Sequence, residues 1–145
     1  MKIRKAELAD LSKIVEIESL CFPEETAFPP GMFAYLIRYA VTLAAFDDDR
    51  MAGFIIGYAN GDTGFIYTLD VHPDYRRKGA GLMLIRALEE RLCSQGAKRI
   101  RLEAAVKNPA ALELYRRAGY HEKELLRNYY GRGKNAVRMW KEFEN

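Results

Sequence analysis

The run Arg76-Arg77-Lys78-Gly79-Ala80-Gly81-Leu82 has the composition of an anion-binding turn. If a helix starts there, its first amides have no partner within the helix and point outward with partial positive charge. Glycines lack Cβ, so an anion can come close to the backbone at Gly79 and Gly81. Arg76, Arg77 and Lys78 add charge at the same end. A diphosphate is the natural ligand; the alternative is a basic turn that only starts a helix. The run is no Walker loop, because neither Lys-Ser nor Lys-Thr follows Gly81, and its glycine spacing is not the dinucleotide fingerprint. Elsewhere the chain has no Ser-His-Asp order, and Cys21 and Cys93 lack metal-ligand spacing. The two histidines, His72 and His121, read as surface or rim residues.

The turn needs a strand before it and a helix after it. Phe65-Ile66-Tyr67-Thr68-Leu69-Asp70-Val71 is β-branched and aromatic, between Gly64 and Pro73, and predicts a strand. Leu84, Leu88 and Leu92 recur at helical spacing with charged residues between them, and Gly96 closes that helix. Upstream, Lys2 to Lys5 predicts an edge strand. Asp10 is an N-cap candidate for a helix over Leu11 to Leu20. Three prolines between Cys21 and Pro30 break that pattern. A second helix is expected over Met32 to Tyr39, then strands over Val41 to Phe46 and Met51 to Tyr58, joined by the turn Asp47-Asp48-Asp49-Arg50. Downstream, Arg99 to Val106 alternates as a strand. Asn108 caps a helix with Pro109 at its first position, running to about Ala118, with Gly119 as its C′ residue. Tyr120 to Leu126 and Asn135 to Phe143 predict the last two strands, and Asn128 to Lys134 the loop between them. The order β-α-α-β-β-β-α-β-α-β-β predicts a mixed α/β (α+β-like) fold, a central sheet with helices on both faces.

A chain of 145 residues predicts one domain, residues 1–145. Its 49% hydrophobic and 30% charged residues are ordinary for a globular protein. No apolar run reaches the length of a membrane span, Met1 to Glu7 has no hydrophobic signal core, and the two cysteines fit a reducing compartment; a cytoplasmic protein is expected. A net charge of +3, with three cations in one turn, predicts local anion binding and no nucleic acid. The sequence sets no oligomeric state.

Val71-x-Pro73-x-Tyr75-Arg76-x-x-Gly79-x-Gly81 resembles the acetyl-CoA signature (Arg/Gln-x-x-Gly-x-Gly/Ala) of the GCN5-related N-acetyltransferases. Asn108-Pro109-Ala110-Ala111-Leu112-Glu113-Leu114-Tyr115-Arg116-Arg117-Ala118-Gly119-Tyr120 resembles the downstream motif of that family. The resemblance implies a central strand that splays from its neighbour, with the cofactor in the wedge. It implies that the backbone of Leu69, Asp70 and Val71 pairs with the pantetheine arm. Amides from Arg77 through Lys78, Gly79, Ala80 and Gly81 to Leu82 would hold the diphosphate, and Asn108 would contact the arm.

For the chemistry, the resemblance makes Tyr115 the candidate acid beside the sulfur; a packing aromatic is the alternative. Glu103, in Leu102-Glu103-Ala104, matches a strand glutamate proposed as general base in the ribosomal-protein alanine acetyltransferases, or is a solvated charge beside Arg99 and Arg101. Glu24, in Cys21-Phe22-Pro23-Glu24, resembles a glutamate beside the substrate amine in N-terminal acetyltransferases, and Glu25 could take that place. Tyr129 and Tyr130 match a tyrosine pair that grips the peptide backbone. Where many relatives continue with an acidic, alanine, tyrosine run, this chain has Lys134-Asn135-Ala136-Val137. The implied reaction is acetyl transfer from acetyl-CoA to the N-terminal α-amine of a protein or peptide. The alternatives are a lysine or small amine as acceptor, a non-catalytic acyl-CoA-binding module, and a nucleotide-phosphate-binding protein. Arg127, Arg132, Lys134 and Arg138 predict a modest preference for an acidic residue near the acceptor's N-terminus.

Overall fold

The computed structural model of the chain describes residues 1–23 and 27–144. Its strands are β1 (Lys2–Lys5), β2 (Val41–Asp47), β3 (Arg50–Asn60), β4 (Thr63–Val71), β5 (Arg99–Ala105), β6 (His121–Leu126) and β7 (Ala136–Glu142). Its helices are α1 (Leu11–Cys21), α2 (Pro30–Tyr39), α3 (Ala80–Ser94) and α4 (Pro109–Arg117). The strands form one sheet in the order β1-β2-β3-β4-β5-β7-β6. Every pairing is antiparallel except β4 with β5.

β2 and β3 are continuous apolar runs because both their faces are covered. Leu43, Ala45, Ala52 and Ile55 pack with Leu84, Ile85, Leu88 and Leu92 of α3. The alternate residues Ala44, Phe46, Phe54 and Ile56 pack with Ile14 and Ile17 of α1 and Phe33, Leu36 and Ile37 of α2. Each large side chain buried this way stabilises the fold by roughly 1.5–3 kcal/mol. The sequence-derived element order and the two-faced sheet agree with the structure. Asp10 differs from expectation: its side chain makes no cap to α1. Its carboxylate instead takes a fork from Arg4 (2.9 and 3.0 Å) and the Glu7 amide (2.8 Å). α2 begins at Pro30 rather than Met32, because proline's fixed φ suits the first helical position.

β4 and β5 pair only at Thr63↔Arg99, Gly64↔Ile100 and Phe65↔Arg101. Beyond these positions they part. On β4, Ile66 and Thr68 face consecutive residues of β3, Gly57 and Ile56, so Tyr67 is an extra residue that bends the strand. β5 meanwhile stays in register with β7 from Arg99↔Glu142 to Ala105↔Ala136. A wedge therefore opens toward the C-terminal ends of β4 and β5.

Candidate active site

The wedge exposes one edge of β4. His72 donates from its amide to Ala52 O of β3, and strand alternation then turns the amides of Leu69 and Val71 the other way, toward the opening. Val71 O also faces away from β3 and accepts from Cys21 Sγ (3.4 Å) and Arg76 Nε (3.3 Å). A ligand with its own amides can pair along this edge as another strand would.

The basic turn follows. Pro73–Tyr75 form one 3-10 turn, closed by His72 Nδ1, which accepts from the Asp74 amide at 3.0 Å. Tyr75 is the anchor: it is buried, and its hydroxyl donates to Asp47 Oδ2 at 2.9 Å. Gly79 precedes α3 at φ +86°, with open space where a Cβ would stand. The first bond within α3 runs from the Met83 amide to Gly79 O, so the amides of Gly79, Ala80, Gly81 and Leu82 lie ahead of the ladder. These amides form a cradle for an anion.

Two residues of the turn differ from the sequence reading. Arg76 does not point outward as a free cation: its guanidinium bonds back to Val71 O and, at 3.5 Å, to Cys21 Sγ. At Gly81 the missing Cβ also serves packing. A Cβ there would lie 2.7 Å from Leu114 Cδ2, so this glycine lets α3 and α4 approach. Arg77 and Lys78 remain exposed at the turn.

α4 closes the wedge from the far side. Asn108 caps it as predicted, its Oδ1 accepting from the Ala111 amide at 3.2 Å. The cap occupies that oxygen and leaves Nδ2 as the donor a ligand could use. Tyr115 is 7% exposed and meets Tyr120 edge-on at 6.1 Å. Burial pushes its hydroxyl up from the usual range. Tyr120 is held from behind by Glu89, which accepts its hydroxyl at 2.9 Å and the Lys141 ammonium at 3.0 Å.

The open face of the sheet carries the remaining candidates. Glu103 is not a free carboxylate. Arg138 Nε donates to its Oε2 at 2.9 Å, and Arg101 Nε lies 3.1 Å from the same oxygen as an ion pair without hydrogen-bond geometry. Tyr129 donates to its Oε1 at 3.5 Å, and Tyr130 donates to its backbone O at 3.2 Å. The two tyrosine rings meet edge-on at 4.9 Å, and burial pushes the Tyr130 hydroxyl up to about 12. Arg138 also pairs with Glu124 at 3.4 Å, so its charge is not free to favour an acidic acceptor residue as the sequence reading expected. Glu24 lies outside the described residues. Tyr75 and the pairing of Glu103 with Arg138 went unread in the sequence; only the place of Tyr75 in the Val71–Gly81 pattern marked it.

Residues 11–120 match the family model described as Acetyltransferase (GNAT) family. The N-alpha-acetyltransferase of Sulfurisphaera tokodaii is 31% identical over 95% of this chain and 90% of its own length. The [ribosomal protein bS18]-alanine N-acetyltransferase of Salmonella typhimurium is 39% identical over 57% of this chain, a match that spans 56% of that relative. Arabidopsis thaliana NAA60, solved in complex with acetyl-CoA, superposes at a TM-score of 0.88 with 19% identity, over 97% of each chain.

Proposed function

The chain belongs to the GNAT acetyltransferase family, and from that premise we propose that it transfers an acetyl group from acetyl-CoA to the N-terminal α-amine of a protein. Bound acetyl-CoA supplies an acetyl thioester. The amides of Gly79, Ala80, Gly81 and Leu82, ahead of the first bond of α3, hold its diphosphate. The amides of Leu69 and Val71 and the Nδ2 of Asn108 hold its arm. Tyr115 Oη donates to the sulfur. Tyr129 and Tyr130, fixed by Glu103, line the acceptor side.

One observation carries the choice of amine. Glu103, the described carboxylate that the motif marks as a base, is already engaged by Arg138 and Tyr129. A site whose glutamate holds its own tyrosines needs an acceptor that gives up its proton cheaply. Neutralising an α-amine at pH 7 costs about 1 kcal/mol, and a lysine about 4 to 5 kcal/mol. Water can take the proton of the first. The N-alpha-acetyltransferase relative supports the same reading. We place the reaction in the cytoplasm, which suits the unpaired thiols of Cys21 and Cys93.

The test is thiol release from acetyl-CoA with peptides beginning Ser-Glu, Ser-Ala and Ser-Lys, beside a blocked peptide carrying a free lysine. Acetylation of the free N-termini with the blocked peptide untouched is expected. Because Arg138 is neutralised by Glu103 and Glu124, only Arg127, Arg132 and Lys134 favour Ser-Glu, by about 1 kcal/mol or less, fading with salt. Efficient acetylation of the blocked peptide alone would replace this reading with a lysine acceptor.

A further inference from the structure

Two buried carboxyls lie where α1 meets β4, beside the opened edge of that strand. Asp70 of β4 is 1% exposed and Glu18 of α1 is 3% exposed. Neither forms an ion pair among the described residues. One oxygen of each is satisfied: Thr68 Oγ1 donates to Asp70 Oδ1 at 2.8 Å, and the Phe28 amide donates to Glu18 Oε2 at 2.8 Å. The other two oxygens, Asp70 Oδ2 and Glu18 Oε1, find no donor. Cys21, one helical turn after Glu18, bonds through its Sγ to Val71 O, next to Asp70, so α1 and β4 bring the two carboxyls to the same place. Two unpartnered buried carboxylates would repel each other and cost several kcal/mol of desolvation. A single proton between the orphaned oxygens satisfies both at once.

We infer that Asp70 carries a proton on Oδ2 and donates it to Glu18 Oε1, and that this bond positions the segment entering α2 against the tip of β4. The surroundings agree. Burial, then Glu18, push the Asp70 carboxyl well above the usual carboxylate range, and Thr68 and the Arg76 charge oppose them only in part. The groups that face the pair are Cys21 on α1, Arg76 in the turn, Thr68 on β4 itself and Tyr115 on α4. From Glu18 the connection runs to the Phe28 amide, and the Phe28 ring packs on Phe33 at 5.7 Å. On the same side, Cys21 Sγ donates to Val71 O, so the end of α1 is tied twice to the tip of β4. Glu18 and Asp70 are positioning residues; that the segment lies on the acceptor side rests on the acetyltransferase reading.

The proton is detected directly by infrared difference spectroscopy at neutral pH, wild type minus Asp70→Asn. A protonated-carboxyl stretch in the wild type is expected, and it should also vanish in Glu18→Gln, whose amide donates to Asp70 in place of the proton. The melting temperature of Asp70→Asn relative to wild type should rise from about pH 4 upward. The native state keeps a proton that the unfolded chain releases near ~3.9, so wild-type stability falls with pH there. Absence of the band, or a melting-temperature gap constant with pH, overturns the shared proton. In kinetics, Glu18→Ala should raise the acceptor KM at least fivefold with the acetyl-CoA Kd moved less than twofold. Glu18→Gln, which still accepts from Phe28, should recover most of that KM. Equal KM in wild type and Glu18→Ala overturns the positioning role. If no peptide is acetylated at all, the acetyltransferase reading fails, while the infrared and melting measurements still decide the proton.

Discussion

Tyr115→Phe removes one oxygen from the wedge, and the structure sets the size of the effect. The Tyr115 hydroxyl is raised by burial and has no hydrogen-bond partner among the described residues. An unperturbed tyrosine, near ~10, is already a weaker acid than a cysteine-like thiol near ~8.5, so complete proton transfer to a thiolate runs uphill by about 2 kcal/mol or more. On the proposed function, the expected role of Tyr115 is therefore that of a hydrogen-bond donor to the developing thiolate rather than a full acid. A hydrogen bond to a charged group is worth roughly 1.5–3 kcal/mol net. The expected loss in kcat is then on the order of 10- to 100-fold, below the upper range of general acid catalysis. Stability should hold, because the ring keeps its contact with Tyr120 and no protein hydrogen bond is lost. The assay is stopped-flow thiol release under saturating acetyl-CoA, with calorimetry of acetyl-CoA binding and a thermal melt on the same samples. A kcat within twofold of wild type would refute the donor role. So would a lowered melting temperature that accounts for the lost activity. Because the hydroxyl stays protonated well above neutrality, removing it should leave the pH profile below pH ~9 unchanged.

Gly81→Ala should destabilise by roughly 1–3 kcal/mol through overpacking on Leu114, and Leu114→Ala should relieve that cost, read as a positive coupling in the double variant's melts. Additive losses would mean that the contact does not matter. Glu103→Gln should raise the peptide KM several-fold by loosening Tyr129, Tyr130 and Arg138, with the shape of the kcat pH profile kept; a displaced acid limb would make Glu103 the base after all. Asp10→Asn should cost about 1 kcal/mol or more at pH 7. The Arg4 hydrogen bond, partly opposed by burial and aided by the Glu7 amide, holds the Asp10 carboxyl below its usual range. That stability is present above the unfolded value near ~4 and is lost as pH falls, so the melting gap should close toward pH 2–3, and a gap constant with pH would sink the assignment.

The elements and the glycine turn were legible because they depend on local pattern. Periodicity placed β4 and α3, Asn108-Pro109 placed the start of α4, and Arg76-x-x-Gly79-x-Gly81 placed the cradle. These features are set by φ, ψ and amide geometry within a few residues of chain. Roles that depend on which elements meet were not legible. The wedge exists because a bulge at Tyr67 turns β4 away while β5 stays with β7, and register is a long-range property. Gly81 reads along the chain only as a phosphate glycine, and the approach of Leu114 from α4, thirty-three residues on, gives it a packing role as well. Arg76, Arg138 and Glu103 read as free charges along the chain. Tertiary contact paired Arg138 and Glu103 with each other and turned Arg76 onto Val71 and Cys21. A one-dimensional pattern shows which charges a chain carries, and only the fold decides which of them meet or are buried, as it does for Glu18 and Asp70, fifty-two residues apart and both buried where α1 meets β4.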